Sequence, residues 1–181
     1  MAEVRKEAAS ERGGKATTAK KLEVAPAASS ADIDAARELM REYFATSARD
    51  PAFSQCLAKQ GAEAEVAALP GDYAPPRGRL LLARVDGEVA GCIALRPTDA
   101  AGACEMKRLF VRPNFRGSGA GRALVNALMK EAAAAGYRRM VLDTLPSMVA
   151  AQKLYRELGF AVVAPSTSHP VAGAVVMERP L

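Results

Sequence analysis

A glycine-rich loop between an apolar strand and an amphipathic helix constrains this chain more than any other feature of its sequence. Gly117, Gly119 and Gly121 follow an apolar stretch at 104–111 and precede a helical pattern that runs to about Ala135. The N-terminus of a helix carries unpaired backbone N–H groups and partial positive charge. Glycines lack the Cβ atoms that would keep an anion away from those groups. The segment therefore predicts an anion cradle on a strand–loop–helix unit.

The loop matches neither of two common phosphate-binding patterns. It lacks the Gly-Lys-Ser/Thr ending of a P-loop. The dinucleotide-binding pattern GxGxxG would need glycine at the position of Arg122, and it would open a series of βαβ units. The glycine loop instead follows a predicted hairpin, in which apolar runs at 79–85 and 88–95 flank Asp86-Gly87. Arg116 and Arg122 are expected to add positive charge beside the cradle.

The rest of the pattern predicts a single domain with the element order β-α-α-β-β-β-α-β-α-β-β. Ser29 to Asp32 offer N-cap residues to a first helix, and Gly136 is expected to end the helix after the glycine loop. Pro146 can sit in the first turn of the last helix. A second helix is expected over 53–69. Further strands are expected at 20–25, 104–111, 139–144, 160–164 and 173–178.

Length, composition and cysteine content favour one globular domain in a reducing compartment. The chain has 181 residues, of which we expect 1–19 to be a disordered tail and 20–181 to be one domain. There are three cysteines, with no CxxC pair, and one histidine, His169, so neither a disulfide framework nor a metal site is expected. No apolar run is long enough to span a membrane, and no secretory signal is evident. We therefore expect a cytoplasmic protein.

Charge gives weaker guidance about partners. The net charge of +5 suits an anionic small ligand as well as nucleic acid. Nucleic-acid binding is not expected, because the chain has no tryptophan and few aromatic residues on which bases could stack. A homodimer is plausible, although nothing in the sequence specifies one.

The glycine loop and the segments around it resemble the GCN5-related N-acetyltransferase (GNAT) superfamily. The pattern Arg116-x-x-Gly119-x-Gly121 is similar to the acetyl-CoA pyrophosphate loop of that family. Leu-Phe-Val-Arg-Pro at 109–113 resembles its fourth strand and the exit from it. Ala-x-x-Leu-Tyr at 151–155, followed by Leu-Gly-Phe at 158–160, resembles its fourth helix and sixth strand. The resemblance covers roughly residues 20–181.

The resemblance implies an α+β fold of three α/β layers, in which a mixed, mostly antiparallel seven-stranded sheet packs with four helices. Its fourth and fifth strands should form the parallel pair and then splay apart. It also implies an acetyl-CoA-dependent enzyme that transfers an acetyl group directly to an amine of a small molecule or peptide, without a metal. A non-catalytic coenzyme-A-binding sensor or interaction module remains the alternative.

The resemblance also implies roles for particular residues. The pyrophosphate should lie at the glycine loop, whose members are Arg116, Gly117, Ser118, Gly119, Ala120, Gly121 and Arg122. The pantetheine arm should run along Leu109, Phe110 and Val111, pairing with the backbone of the first and last. Thr144, Met148 and Ala151 complete the coenzyme site. Met148 stands where many members of the family have asparagine, and Thr144 could supply the hydrogen bond that this asparagine would make.

Two residues are the candidates for proton transfer. Tyr155 matches the tyrosine that protonates the departing thiolate, although it could also be a core residue. Glu105 could be the general base, directly or through water, or an ordinary solvated strand residue. Strand alternation places Glu105, Lys107, Leu109 and Val111 on one face unless a bulge intervenes.

Other candidates have simpler explanations. Cys104 is expected to be a small buried hydrophobic residue rather than a nucleophile. His169 is expected in an exposed loop. A few basic side chains could attract an anionic acceptor, although such residues are more often solvated surface: Arg77, Arg96, Lys107 and Arg108. The acceptor pocket should lie between the first two helices and the last hairpin, and its amine is not specified.

Overall fold

A computed structural model of the chain describes residues 20–48, 54, 61–164 and 173–181. The strands are β1 (Leu22–Pro26), β2 (Arg79–Val85), β3 (Glu88–Pro97), β4 (Ala103–Val111), β5 (Arg139–Thr144), β6 (Ala161–Val162) and β7 (Val175–Pro180). The α-helices with both ends described are α1 (Ser30–Ser47), α2 (Ala62–Ala67), α3 (Ala120–Ala134) and α4 (Val149–Glu157). Short 3₁₀ turns lie at Gly71–Tyr73 and Pro113–Phe115.

The strands form one seven-stranded sheet in the order β1-β2-β3-β4-β5-β7-β6. Among the described strands, β4 and β5 are the one parallel pair, and α3 connects them. Helices α3 and α4 pack on one face of the sheet, and α1 and α2 pack on the other. This arrangement confirms the predicted α+β fold of three α/β layers.

Local sequence signals account for several element ends. Asp86 and Gly87 both have positive φ angles, 53° and 86°, as the tight turn of a two-residue hairpin requires. Ser29 and Asp32 form a reciprocal capping box at the start of α1. Gly136 adopts the left-handed conformation just beyond α3, as predicted. The hairpin turn, the start of α1 and the end of α3 therefore follow from residues close by in the sequence.

Two apolar cores hold the helices to the sheet. On one face, Leu124 and Leu128 of α3 are fully buried against Leu81, Ile93 and other strand residues. On the other face, Leu39 and Met40 of α1 pack against the opposite side of the same strands. Burying a leucine contributes roughly 1.5–3 kcal/mol relative to exposure. Strands β2 and β3 are therefore apolar on both faces, and β4 is apolar on the face that packs against α3 and α4.

Three expectations about element ends need comment. Pro146 was expected in the first turn of α4, but α4 begins at Val149, and Pro146 lies in the preceding turn. Of the helix expected over 53–69, the structure describes Ser54 and, from residue 61, the helix α2. The tail at 1–19 and the loop that contains His169 lie outside the described residues. In the part of the chain that is described, no helix is long and apolar enough to cross a membrane.

A β-bulge in β4 overturns the simple alternation expected for that strand. Cys92 is opposite Phe110 and Ala94 is opposite Lys107, so two steps along β3 correspond to three along β4. The extra residue is Arg108, which adopts a left-handed φ of 58°. The expectation that Glu105, Lys107, Leu109 and Val111 share one face held only without a bulge, and the bulge at Arg108 separates Glu105 and Lys107 from Leu109 and Val111.

The bulge changes how the side chains of β4 are divided between the two faces, compared with regular alternation. Leu109 and Val111 pack on the α3 and α4 side, with Cys104 and Met106. Glu105, Lys107, Arg108 and Phe110 lie on the side of α1 and α2. The charged residues of the strand are thus gathered on one face, because the extra residue reverses the alternation after position 107.

Candidate active site

The sheet has a gap between β4 and β5. Backbone pairing between them covers only Ala103 to Glu105 of β4, opposite Arg139 to Val141 of β5. Strand β4 continues to Val111 without pairing to β5, whose remaining residues pair only with β7. The predicted separation of the parallel pair is therefore present, and β4 has one strand edge open inside the sheet.

The bulge decides which backbone groups face this gap. Three hydrogen bonds show which residues face β3. The Ala103 carbonyl accepts from Thr98 N at 3.3 Å, and the Arg108 carbonyl accepts from Cys92 Sγ at 3.6 Å. The Arg112 N–H donates to the Ala90 carbonyl at 2.9 Å. Because successive residues of a strand point their polar groups to opposite edges, Leu109 and Val111 face the gap. Phe110 does not, since it lies two residues before Arg112, whose N–H faces β3, and its ring packs beside Tyr43.

The glycine loop lies at the end of this gap. Gly117 and Gly119 have φ angles of 81° and 87°, which favour glycine strongly, and Gly119 is the N-cap of α3. Ser118 Oγ accepts a hydrogen bond of 3.3 Å from Ala120 N. Among the described residues, the N–H groups of Gly117, Gly119 and Gly121 have no acceptor. The loop thus presents three free donors at a positively polarised helix end.

The two arginines of the loop have partners within the protein. Arg116 Nε donates to the carbonyl of Val111 at 3.4 Å, which places the guanidinium between the loop and the gap. Arg122 forms an ion pair with Glu157 at the end of α4. The charge that Arg122 was expected to add to the cradle is therefore partly neutralised by Glu157.

Tyr155 lies on α4, on the α3 and α4 side of the gap. Its side chain is buried and packs against Phe160, with the ring centroids 5.9 Å apart. Burial raises the pKa of the Tyr155 phenol above its usual value, and the electrostatic influence of Tyr43 and Asp143 raises it further. Tyr43 and Asp143 both lie on the α1 and α2 side, so the phenol is influenced by groups on the opposite face of the sheet.

Glu105 is buried, so it is not an ordinary solvated strand residue. Its two carboxylate oxygens lie 2.7 Å from Arg96 Nε and 3.2 Å from Lys107 Nζ. Lys107 also lies 3.1 Å from Asp143 Oδ1 across the gap, and its side chain is only 5% exposed. These four residues form a chain of alternating charges on the α1 and α2 side of the sheet. Asp143 was missed in the sequence, although a polar residue ending the apolar strand 139–144 was a signal for it.

A second charged cluster surrounds the bulge. Arg108 makes two hydrogen bonds to Glu65 of α2, and its guanidinium lies 5.1 Å from the centre of the Phe44 ring. Tyr73 donates a hydrogen bond of 2.8 Å to the same carboxylate. Glu65 and Tyr73 were not singled out in the sequence, because their role depends on a contact between segments far apart in the chain.

The end of β5 carries an unpartnered hydroxyl. Thr144 Oγ1 is buried and, among the described residues, is the one buried side-chain polar atom without a hydrogen-bond partner. Met148 is the N-cap residue of α4, and its side chain packs near Ala62 and Leu145. Ala151 packs against the core on the α3 and α4 side. Leaving a buried hydroxyl unpaired costs free energy, which indicates a site for a polar ligand atom.

Cys104 is a core residue, as the sequence predicted. Cys104 is buried, and burial raises the pKa of its thiol to about 12. It is therefore a neutral core thiol near pH 7. Within the described ranges, no group of three or more histidine, cysteine, aspartate or glutamate residues could hold a metal ion.

A strand–glycine loop–helix unit beside a gap in a mixed sheet defines the acyl-CoA N-acyltransferase class of fold. The family model described as "Acetyltransferase (GNAT) family" matches residues 34–160, and the chain belongs to this family. An uncharacterized N-acetyltransferase of Schizosaccharomyces pombe is 37% identical over 148 residues, or 81% of this chain and 87% of that protein.

Two further comparisons bear on the fold and the site. N-acetylaspartate synthetase of Homo sapiens is 34% identical over 99 residues, which are 55% of this chain and 33% of that protein. The PaiA N-acetyltransferase of Thermoplasma acidophilum, solved in complex with coenzyme A, superposes with a TM-score of 0.69 at 20% identity. That superposition covers 89% of this chain and 99% of the other, and it supports the fold alone.

Proposed function

We propose that this protein is an acetyl-CoA-dependent N-acetyltransferase that moves an acetyl group directly to an amine. The observation that carries the proposal is the continuity of the glycine loop with the gap between β4 and β5. The free N–H groups of the loop suit a pyrophosphate, and the open edge of β4 suits an extended arm with amide groups. Coenzyme A has both parts.

The coenzyme would use the two parts of this site in sequence. The pyrophosphate binds the backbone of Gly117, Gly119 and Gly121, and Arg116 lies beside it. The pantetheine arm pairs with Leu109 and Val111 as an additional strand. The acyl end then points towards the closed end of the gap, where β4 and β5 begin to pair at Glu105. Thr144 offers its unpaired hydroxyl to the arm from the facing strand.

The transfer itself needs two proton movements. The neutral amine attacks the thioester carbon, the C–N bond forms and the C–S bond breaks. Alkyl amines have a pKa of about 10, so a base must take the amine proton near pH 7. We assign this to Glu105 acting through water, since both its oxygens are already occupied by cations. Tyr155 gives its proton to the departing thiolate, and Leu109 N–H stabilises the oxyanion.

The acceptor side of the site favours an amine that also carries a carboxylate. Arg96 uses only its Nε on Glu105, and among the described residues its Nη groups have no hydrogen-bond partner. Its side chain is 37% exposed, whereas Lys107 beside it is buried. A guanidinium with two free donors fits a carboxylate well. The name of the human relative, N-acetylaspartate synthetase, indicates an acceptor of this kind for that protein.

The function is tested first by titrating acetyl-CoA by calorimetry and then by measuring thiol release with matched amine pairs. Each pair consists of an amino acid and its decarboxylation product, for example lysine with cadaverine and phenylalanine with phenethylamine. We expect micromolar binding, turnover, and kcat/KM about tenfold or more higher for the amino acid. Arg96→Gln should abolish this preference, whereas Arg77→Gln, which changes an exposed arginine, should retain it.

The outcomes separate the alternatives. Absence of acetyl-CoA binding would contradict the proposed function altogether. Binding without turnover on any amine would favour a coenzyme-A-binding sensor, which the presence of Met148 in place of asparagine leaves open. Turnover with no preference within the pairs would leave the acetyltransferase and remove the carboxylate-bearing acceptor.

Thr144→Val is expected to separate ligand binding from stability. Valine keeps the shape of threonine and removes a hydroxyl that has no partner, so the free energy of unfolding should stay the same or rise by up to about 1 kcal/mol. Acetyl-CoA affinity should fall about three- to tenfold, as loss of one hydrogen bond predicts. Thermal unfolding and calorimetry measure the two quantities.

Thr98→Val is the matched control. The Thr98 hydroxyl already donates to the Ala103 carbonyl at 3.2 Å, so its removal should lower stability and leave acetyl-CoA affinity unchanged. Unchanged affinity in Thr144→Val would show that the coenzyme does not use this hydroxyl.

A further inference from the structure

We propose that Glu65 and Arg108 are positioning residues that hold the β4 bulge in the form that turns the Leu109 N–H into the gap. Neither side chain touches the gap in this proposal, and both act through the backbone of β4. The inference builds on the proposed acetyl transfer, because the Leu109 N–H is the oxyanion donor of that reaction. It assigns a role to a buried ion pair that the transfer chemistry does not itself use.

The bulge depends on an unfavourable backbone conformation. Arg108 has a φ of 58°, in the left-handed region that residues with a Cβ atom avoid. Glycine is the usual residue at such a position in a bulge. An arginine will adopt it only where its side chain gains enough elsewhere to offset the cost.

The contacts of the Arg108 side chain supply that compensation. Nε and Nη2 lie 2.7 and 2.6 Å from the two carboxylate oxygens of Glu65, in a two-pronged pairing. Arg108 is 5% exposed and Glu65 is 16% exposed, so neither charge can be left alone without a large desolvation cost. Tyr73 donates to Glu65, and Phe44 packs under the guanidinium. The residue is thus anchored to α1, to α2 and to the 3₁₀ turn between α2 and β2.

This anchor decides which backbone groups of β4 face β3 and which face the gap. With the bulge, Arg108 directs its carbonyl to β3, and Lys107, which is opposite Ala94, faces β3 by alternation from Ala103. Leu109 and Val111 then face the gap. Without the extra residue the alternation would continue unbroken, so Leu109 would turn to β3 and Arg108 would face the gap. The oxyanion donor would then be lost, while the glycine loop at 117–121 would be unchanged.

The discriminating experiment compares Arg108→Gly with Arg108→Ala. Both remove the anchor, but glycine adopts the left-handed conformation freely and alanine does not. We expect kcat to fall on the order of 10–100-fold in Arg108→Ala, with acetyl-CoA affinity changed less than about threefold, and to fall clearly less in Arg108→Gly. A left-handed position favours glycine for stability as well, so the free energy of unfolding of both variants is measured beside kcat. A loss of kcat that disappears once each variant is assayed well below its unfolding temperature would show a purely structural role and would overturn the inference.

Glu65→Gln tests the other half of the pair, and Glu63→Gln, an exposed residue of the same helix, is its control. Glu65→Gln should lower kcat about tenfold or more, and Glu63→Gln should leave it unchanged. Equal or higher kcat for Arg108→Ala than for Arg108→Gly, or a wild-type kcat in Glu65→Gln, would overturn the inference.

Amide hydrogen exchange at Leu109 measures the orientation of its N–H group without requiring any turnover. In the free wild-type protein this N–H faces the gap and should exchange rapidly, whereas in Arg108→Ala it should pair with β3 and exchange about tenfold or more slowly. Unchanged exchange in that variant would also overturn the inference. If the wild type showed no acetyl transfer, the proposed function would fail, and the exchange measurement would still decide the role of Glu65 and Arg108.

Discussion

Gly119→Glu is expected to weaken acetyl-CoA binding by about a hundredfold or more. The substitution puts a carboxylate at the N-cap of α3, where the free N–H groups of the loop would meet the pyrophosphate. The new charge competes for those donors and repels the diphosphate. Calorimetric titration of acetyl-CoA measures the change in affinity.

Gly136→Glu provides a control at the other end of the same helix. Gly136 has a φ of 88°, almost the same as the 87° of Gly119, and a Cβ at Gly136 would have no atom within 4 Å. Both variants therefore carry a similar backbone cost of about 1 kcal/mol, but only one changes the loop. A similar loss of affinity in both variants would contradict the pyrophosphate site, since it would trace the effect to the fold of α3.

Tyr155→Phe is expected to lower kcat by about 10²–10³-fold while acetyl-CoA affinity changes by less than about threefold. Phenylalanine keeps the packing against Phe160 and removes only the proton donor. Because burial raises the pKa of Tyr155 above its ordinary value of about 10, the phenol stays protonated across the neutral range. The wild-type kcat should therefore show no alkaline loss from this group below about pH 10.

Tyr137→Phe is the corresponding control. The Tyr137 hydroxyl donates to the Arg77 carbonyl at 2.8 Å, so its loss should cost about 1 kcal/mol of stability and leave kcat unchanged. Steady-state rates of thiol release between pH 6 and pH 10 measure both variants. Full activity of Tyr155→Phe at every pH in that range would remove Tyr155 from the role of acid.

Elements with local signals were predicted well from the sequence. Asp86-Gly87 specifies the tight hairpin, and the apolar runs beside it became β2 and β3. The glycine loop likewise precedes a helix as expected, because its left-handed positions suit glycine alone. These signals lie within a few residues of the structure that they specify, so they can be read without knowledge of the rest of the fold.

The features that were missed depend on contacts between distant segments. Nothing next to Arg108 in the sequence marks a bulge, because the left-handed conformation is offset by Glu65, 43 residues away. Arg122 was expected to serve the anion cradle, but its partner Glu157 lies on another helix. Strand alternation alone also predicted that Glu105 and Leu109 lie on the same face of the sheet, but the one additional residue of the bulge places them on opposite faces. Such effects are properties of the packed fold rather than of local pattern.

The short pairing of β4 with β5 limits how firmly the two halves of the sheet are joined. Strands β1 to β4 form one antiparallel block and strands β5, β7 and β6 another. Among the described residues, the backbone connection between β4 and β5 is short: three residue pairs, and the hydrogen bonds from Arg138 and Arg139 to the Gly102 carbonyl. A ligand lying along β4 would extend this backbone connection in the manner of an inserted strand. Ligand affinity and the rigidity of the two blocks relative to each other are then thermodynamically linked, so bound acetyl-CoA would also hold the two blocks together across the middle of the sheet.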